Sequence, residues 1–536
     1  MRKTATIFTT LLALLLPAKN RAAESDSLTG FAQTGIVAGK GDFAPYWFTA
    51  NRNGLLPVGN SSGQLRAGIA YNGSFGNENF HYRAVADIVA GYNQQRGFVI
   101  QQAYGEIDWR CARITVGSKE RWSENEYFTH THHTKESNNV EREFPFLHYN
   151  SINSLGSGGL AFSGNSRPIP QVRIEIPHYT AVPGTNKWLQ VRGHISYGMF
   201  SDQNYQEEFT RQNPKARYAR NILYHGKALF LKVGKPSSFP LTIEGGIEMH
   251  TEFGGDIYNR TDGLLVSMPR EPMDYFKAFI PLGGSDDTPT VEQTNISGNQ
   301  IGSWHLALTL HTKPADVRFY AEHLFEDFSQ LFFFEYQSNK EGKRKIIYYP
   351  WRDILVGVNI ENKSAIFPFI SNIRYEYLTT RDQSGALYND PNEYFKEQMD
   401  GCDNYYNHGI YPGWHHWGMG IGNPLAYSPE YNTDGSTQFR GNRLIAHNFG
   451  INGQFSKSLP LKYRLSYTYS ENWGTYANPF AKKKYTTSLF AGITFAPRSS
   501  NWLGSVSVGY DKSNFIGENL GVMFTLTRIG TIFKRK

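Results

Sequence analysis

Residues 461–470 read LKYRLSYTYS. Leu461, Tyr463, Leu465, Tyr467 and Tyr469 alternate with Lys462, Arg464, Ser466, Thr468 and Ser470. Successive Cβ atoms on a strand point to opposite faces, so this two-residue period makes one apolar and one polar face. The period recurs along the chain. KWLQVRGHISYGM (187–199) sets Leu189, Val191, Ile195, Tyr197 and Met199 against Gln190, Arg192, His194 and Ser196. TTSLFAGITF (486–495), WLGSVSVGYD (502–511) and LGVMFTLTRIGTIF (520–533) repeat it, with Asp511 on the polar face.

A water-soluble sandwich alternates in the same way. Three features favour a transmembrane barrel instead. The segments run to about ten residues, the tilted span of a bilayer. Aromatic residues gather at segment ends, as at Trp109, Trp188, Tyr469 to Trp473 and Trp502, which suits interfacial girdles. Connections fall into two kinds, short after Leu461 but long at 119–157, 251–299 and 381–435. The expectation is one all-β, antiparallel outer-membrane barrel of about 18 strands with long extracellular loops. Mean hydropathy of −0.48 is no objection, because lumen residues dilute the lipid-facing ones.

The start of the chain fits export. Met1-Arg2-Lys3 is cationic, Ile7 to Pro17 is nearly all apolar, and Ala22-Ala23 offers a cleavage point. Residues 1–23 are therefore expected to be a signal peptide and 24–536 the barrel, placed in the outer membrane of a Gram-negative bacterium. Cys111 and Cys402 are too few and too far apart for a metal motif. A net charge of +7 spread along the chain argues against nucleic acid and leaves a polyanion open.

Residues 407–425, NHGIYPGWHHWGMGIGNPL, are the most unusual stretch and lie late in a long loop. Sugar rings present apolar C–H faces beside hydroxyls, so aromatic platforms among hydrogen-bonding groups suit a polysaccharide. Tyr405, Tyr406, Tyr411, Trp414 and Trp417 would supply faces, and Asn407, His415, His416 and Asn423 polar contacts. Arg167, in SGNSRPIP, would meet an acidic sugar or brace a turn. The competing reading folds the loop into the barrel mouth, where its tryptophans close the lumen. A metal fits the pair badly, since adjacent histidines on extended backbone diverge. His130 and His132 in FTHTHHTKE would share a strand face, but a solvated loop is the simpler reading, and no metal or cofactor is expected. Glu322, His323, Glu326 and Asp327 suggest two-carboxylate glycoside hydrolysis. Yet Arg318, Tyr320, Glu322 and Glu326 share one parity, which points to a charged ladder inside the lumen, with Arg192 or Arg464 as partners.

Several blocks resemble the capsule-assembly Wzi family: SGGLAFSGNSRPIPQVRIEIPHY (157–179), NISGNQIGSWHLALTLHT (295–312), RFYAEHLFEDFSQ (318–330), the 407–425 stretch, RGNRLIAHNFGINGQF (440–455) and YTYSENWGTY (467–476). The resemblance runs from about Ala44 to the C-terminus. It implies a non-catalytic outer-membrane lectin that holds capsular polysaccharide at the cell surface, with membrane lipid around a monomeric barrel. The sequence departs from the family's better-known branch near its start, where SLTGFAQTGIVAGKGDFAPYWFTANRNGLLP reads as strand and loop rather than a periplasmic helical bundle. A diffusion porin and an outer-membrane glycan hydrolase are the alternatives.

Overall fold

The alternation becomes a pleat whose faces are inverted relative to a soluble protein. In the computed structural model, Leu465 and Tyr467 are 48% and 43% exposed, whereas Arg464 and Thr468 are each 3%. Val506, Val508, Val522 and Phe524 likewise point outward, and Ser505, Ser507, Asp511 and Thr527 inward. In a sandwich the apolar face would be the hidden one. Here it meets what surrounds the molecule, as lipid-facing strands require.

The structure describes residues 26–75, 80–93, 97–123, 140, 144, 147, 155–280, 298–326, 334–338, 344–348, 352–364, 369–389, 399–456 and 458–535. The expected signal peptide and the FTHTHHTKE histidines lie outside them. Eighteen strands form one antiparallel sheet. In chain order they are β1 (Ser27–Lys40), β2 (Ser62–Phe75), β3 (Phe80–Tyr92), β4 (Phe98–Trp109), β5 (Ala112–Ser118), β6 (Gln171–Ala181), β7 (Leu189–Met199), β8 (Leu223–Val233) and β9 (Leu241–Phe253). They continue with β10 (Asn299–His311), β11 (Ala315–Glu326), β12 (Ile354–Asn362), β13 (Asn372–Thr379), β14 (Leu444–Gln454), β15 (Leu461–Gly474), β16 (Pro479–Phe495), β17 (Trp502–Ser513) and β18 (Glu518–Lys534). Each strand pairs with its sequence neighbour, and β1 pairs β18 from Ser27 opposite Lys534 to Lys40 opposite Leu520. That last ladder closes the cylinder and removes the free edges.

The two ends differ as the sequence suggests. Among the described residues, one carries brief turns, such as 110–111 and 312–314, together with the start of β1 and the end of β18. The other carries the long connections 41–61, 119–170, 200–222, 254–298, 327–353 and 380–443. By the habit of outer-membrane barrels, the short-turn end is periplasmic and the long-loop end extracellular. Exposed Phe75, Trp109, Trp188, Phe455, Phe495, Trp502 and Phe533 ring the periplasmic end. The exposed Cys111 thiol sits there too, in the 110–111 turn, while the backbone of Cys402 lies among the extracellular connections.

Inward-facing charges are paired along the wall. Arg66 Nε donates to Asp87 Oδ1 at 2.9 Å and its Nη2 to Glu120 Oε1 at 3.0 Å. Arg318 Nη1 donates to Glu244 Oε1 at 2.9 Å. The expected pairing of Glu322 with Arg192 or Arg464 is replaced by another arrangement. Arg192 lies over the Phe230 ring at 4.1 Å and Arg464 over Phe490 at 4.7 Å. Glu322 instead stands opposite His305 and accepts the Leu160 N–H at 2.6 Å. The reason is packing, because a strand-parity argument sees the wall but not the loops that fill it.

The N-terminal region is strand and then inward-folded loop, with the four-residue helix α1 (Tyr46–Thr49) buried in the lumen. Deeper down, Val140, Phe144 and Leu147 pack with Phe31, Tyr104, Leu503 and Ile529, so the 119–170 connection reaches the periplasmic half. Among the described residues, two further helices lie outside the lumen core: α2 (Gln203–Phe209) on the rim and α3 (Pro272–Phe279) against the outer wall. Lys227 Nζ donates to Ala278 O at 3.1 Å, and Tyr197 Oη to Tyr275 O at 2.9 Å, holding α3 there.

Candidate functional site

The stretch that the sequence singles out descends into the barrel and becomes the centre of a plug. Trp414 is fully enclosed, and its Nε1 donates to Ala161 O at 2.9 Å. Tyr406 Oη donates to Leu160 O at 2.7 Å, and its backbone N–H to Glu326 Oε1 at 2.7 Å. Tyr405 Oη reaches Asp353 Oδ2 at 3.0 Å, and Tyr411 Oη reaches Gly254 O at 3.3 Å. The Asn407 amide closes a two-bond ring with the Phe439 backbone, at 2.8 Å in both directions. Asn423 Nδ2 donates to Gly158 O at 2.8 Å.

Three connections are laced together by these contacts. Ser163 N–H donates to Ile421 O at 2.7 Å, and Asn165 Nδ2 to Gly420 O at 3.0 Å. From the first connection, Asn53 N–H donates to Gly164 O at 2.7 Å and Gly54 N–H to Asn165 O at 2.8 Å. The backbones approach too closely for side chains at some points. Gly418 has φ +73°, and a Cβ there would stand 2.2 Å from Tyr205 Oη. A Cβ at Gly422 would stand 2.3 Å from Tyr406 Cε1. Clearance thus explains Gly418 and Gly422 of GWHHWGMGIG.

The histidine pair divides its labour. His416 lies 2.8 Å through Nδ1 from Arg167 O, so Nδ1 carries the proton, and Nε2 accepts from Ser201 N–H at 3.2 Å and faces its Oγ at 3.1 Å. Burial pushes its pKa below the ordinary value. Among the described residues, His415 has no hydrogen-bond partner on either nitrogen, and its nearest counter-charge is Asp202 at 4.0 Å. Burial, only partly offset by Asp202, pushes it down to about 4. Next to the pair, the Arg167 guanidinium lies 5.1 Å from the Trp417 ring, and Trp417 N–H donates to Asp202 Oδ2 at 2.9 Å.

Nine of the ten residues picked out as polysaccharide contacts are therefore buried inside the molecule, and Trp417 is half-buried beneath α2. They come together, but around one another and the wall. Their aromatic faces are spent on filling the lumen, which is the competing reading of the same stretch. Glu322 and Glu326 are drawn into the same structure, each accepting a plug N–H. That leaves neither carboxylate open to a glycosidic bond.

Two further wall carboxylates, Glu376 and Asp511, and Asp353 at the end of the connection before β12, anchor the plug and were not foreseen. Ser157 N–H donates to Glu376 Oε2 at 2.6 Å, Tyr46 N–H to Asp511 Oδ2 at 2.8 Å, and Gln383 N–H to Asp353 Oδ2 at 2.6 Å. Burial raises Asp353 to about 6 against the pull of these donors. The usable signal for Asp511 was its inward parity in WLGSVSVGYD.

Above the plug lies a polar ledge exposed at the extracellular end. Arg211, Gln212, Lys215, Arg260, Asp434, Gln438 and Arg440 are exposed and come from three connections. Gln212 Nε2 donates to Thr433 O at 3.1 Å, Arg260 Nη2 to Glu207 O at 2.7 Å, and Arg440 pairs with Asp434.

No protein-family model matches the chain, and no curated protein matches it in sequence. Solved structures match in fold. Wzi of Escherichia coli, described as an outer-membrane protein involved in group 1 capsule assembly and a carbohydrate-binding β-barrel, superposes with a TM-score of 0.50 at 14% identity. The match covers 98% of this chain and 86% of Wzi. OprD of Pseudomonas aeruginosa has a TM-score of 0.43 at 7% identity, covering 96% and 98%. OmpF of Salmonella typhi has 0.37 at 9%, covering 94% and 97%. This chain is an outer-membrane β-barrel by fold.

Proposed function

We propose that this barrel is a non-catalytic surface lectin that holds an exported, capsule-like polysaccharide on the outside of the cell. The observation that supports this most is the plug: the chain fills its own lumen with hydrogen-bonded loops and turns a polar ledge outward. A barrel built for diffusion has no use for such filling. The likeness in fold to Wzi, a carbohydrate-binding barrel, points the same way. In this reading the buried 405–423 residues support the ledge, and the polymer meets Arg211, Lys215, Arg260, Arg440 and the amides beside them. Exposed Glu208, Asp262 and Asp434 come from the same connections, so the ledge offers both signs of charge to a polymer. Each contact is weak, and many repeat units held near many copies supply the retention.

The test is retention of surface polysaccharide. Cells with Arg211, Lys215, Arg260 and Arg440 replaced by Gln should keep normal amounts of heat-modifiable barrel but shed polysaccharide into the medium. Unchanged retention in those cells, with purified barrel failing to bind the polymer, rejects the proposal.

A further inference from the structure

We propose that the lumen wall carries a site for a divalent transition-metal ion, formed by Glu248, His305 and Glu322. These residues sit on three consecutive strands, β9, β10 and β11, and all face inward. Glu248 stands opposite Ser303, and His305 opposite Glu322. One ligand atom from each lies within 4.8 Å of the other two, the spread that a single ion spans. The side chains of Glu248 and His305 are 2% and 8% exposed, and Glu322 is fully buried.

The chemistry of the set fits a cation. His305 Nε2 lies 3.2 Å from Glu248 Oε1 and 2.9 Å from Ser303 Oγ, so the ring nitrogen that an ion would take up is turned toward a carboxylate oxygen and a hydroxyl. Two carboxylates drawn together away from bulk water repel one another, and a doubly charged ion balances both. One imidazole with two carboxylates is a hard-to-borderline donor set, and zinc takes such nitrogen and oxygen ligands in tetrahedral array. The fourth position falls to water or to Ser303 Oγ.

Outer partners are already in place. The second oxygen of Glu248 faces His250 Nε2 at 3.4 Å, and Tyr224 Oη lies 2.8 Å from His250 Nδ1. Glu322 Oε1 accepts the Leu160 N–H of the plug. Such contacts orient metal ligands and raise their affinity. A bound ion would thus clamp three wall strands together and, through Leu160, fasten the plug to them. The site does not depend on what the outer ledge binds.

Zinc itself is the probe. Barrel purified in detergent, stripped with a chelator and dialysed against Zn²⁺ should retain one equivalent. Glu322→Gln and His305→Gln should each lose that equivalent while remaining heat-modifiable on gels. A variant with His130, His132 and His133 all changed to Ala should keep it. X-ray absorption of the zinc-loaded wild type should give an oxygen-rich shell with one imidazole, a readout that stands even where a variant fails to fold. Failure of the wild type to retain zinc, persistence of zinc in both folded variants, or two or more imidazoles in the shell would each overturn the site.

Discussion

At the scale of single residues, Trp414 carries the most weight. It fills the middle of the plug and supplies the donor for Ala161 O. Trp414→Ala removes both, at a cost of about 3–5 kcal/mol. Because the barrel ladders do not pass through it, the loss is expected in the plug: faster proteolysis within 403–442 with the heat-modifiable band retained. Trp414→Phe keeps the bulk and should lie between. The buried histidines make the same region sensitive to acid. His415 and His416 are held neutral, His415 down to about 4. An unfolded plug would protonate them near 6.5. The unfolded form therefore takes up more protons between about 6.5 and 4, and stability falls as pH falls through that window. Asp353, raised to about 6, acts in the opposite sense, since its folded form keeps a proton that the unfolded form has lost above about 4. Burial holds His408 of the same loop down to about 4 as well, so the three histidines act together and acidification from pH 7 to 5 should loosen the plug, read as a change in tryptophan fluorescence. Replacing His408, His415 and His416 together with Gln should abolish or reverse the response. The sequence marked this stretch but not its direction. Aromatic rings beside amides serve a sugar and a packed interior equally well, and loop residues have no period to say which way they face.

At the scale of elements, the sequence was informative because strand parity is set by backbone geometry alone. The alternation read in 461–470 is clearest in the middle of β15, where Arg464, Ser466, Thr468 and Ser470 are buried and Leu465 and Tyr467 are exposed. The same rule fixes where a charge is intolerable. Val508 lies near the middle of β17, exposed to the lipid side, opposite Ala491 on β16 and Val522 on β18. Val508→Arg should cost about 2–4 kcal/mol and reduce the folded, membrane-inserted fraction. Ser507→Arg, one residue away, faces the lumen and should insert normally into the membrane if the plug yields to it. Equal assembly of the two variants would mean that the assigned faces are wrong. Strand pairing was less legible than parity. Glu322 met His305 and a loop N–H instead of a wall arginine, because neighbours across a sheet depend on register and on loops that a single strand does not encode.

At the scale of the whole molecule, closure and loop asymmetry could be inferred from spacing, whereas the fate of the loops could not. Their anchors are separated by hundreds of residues. Ser157 finds Glu376, Tyr46 finds Asp511 and Trp47 Nε1 finds Thr468 Oγ1 at 3.0 Å. Such pairs exist only once the cylinder has closed and brought every strand to the same lumen. This interior decides how the barrel behaves as a channel. Three connections meet across the lumen, and a separate apolar cluster around Phe144 packs into its periplasmic half. Ions crossing the wild-type barrel would have to displace hydrogen-bonded backbone rather than water. Planar-bilayer recordings of the purified protein should therefore lack the steady, large conductance of an open barrel. Replacing 404–441 with a short Gly-Ser linker removes Trp414 and the partners of Leu160, Ser163 and Asn165, and should raise conductance or make it fluctuate. Steady large currents from the wild type would mean that the loops stand outside the lumen in a membrane, and the case for a filled, surface-binding barrel would give way to a porin.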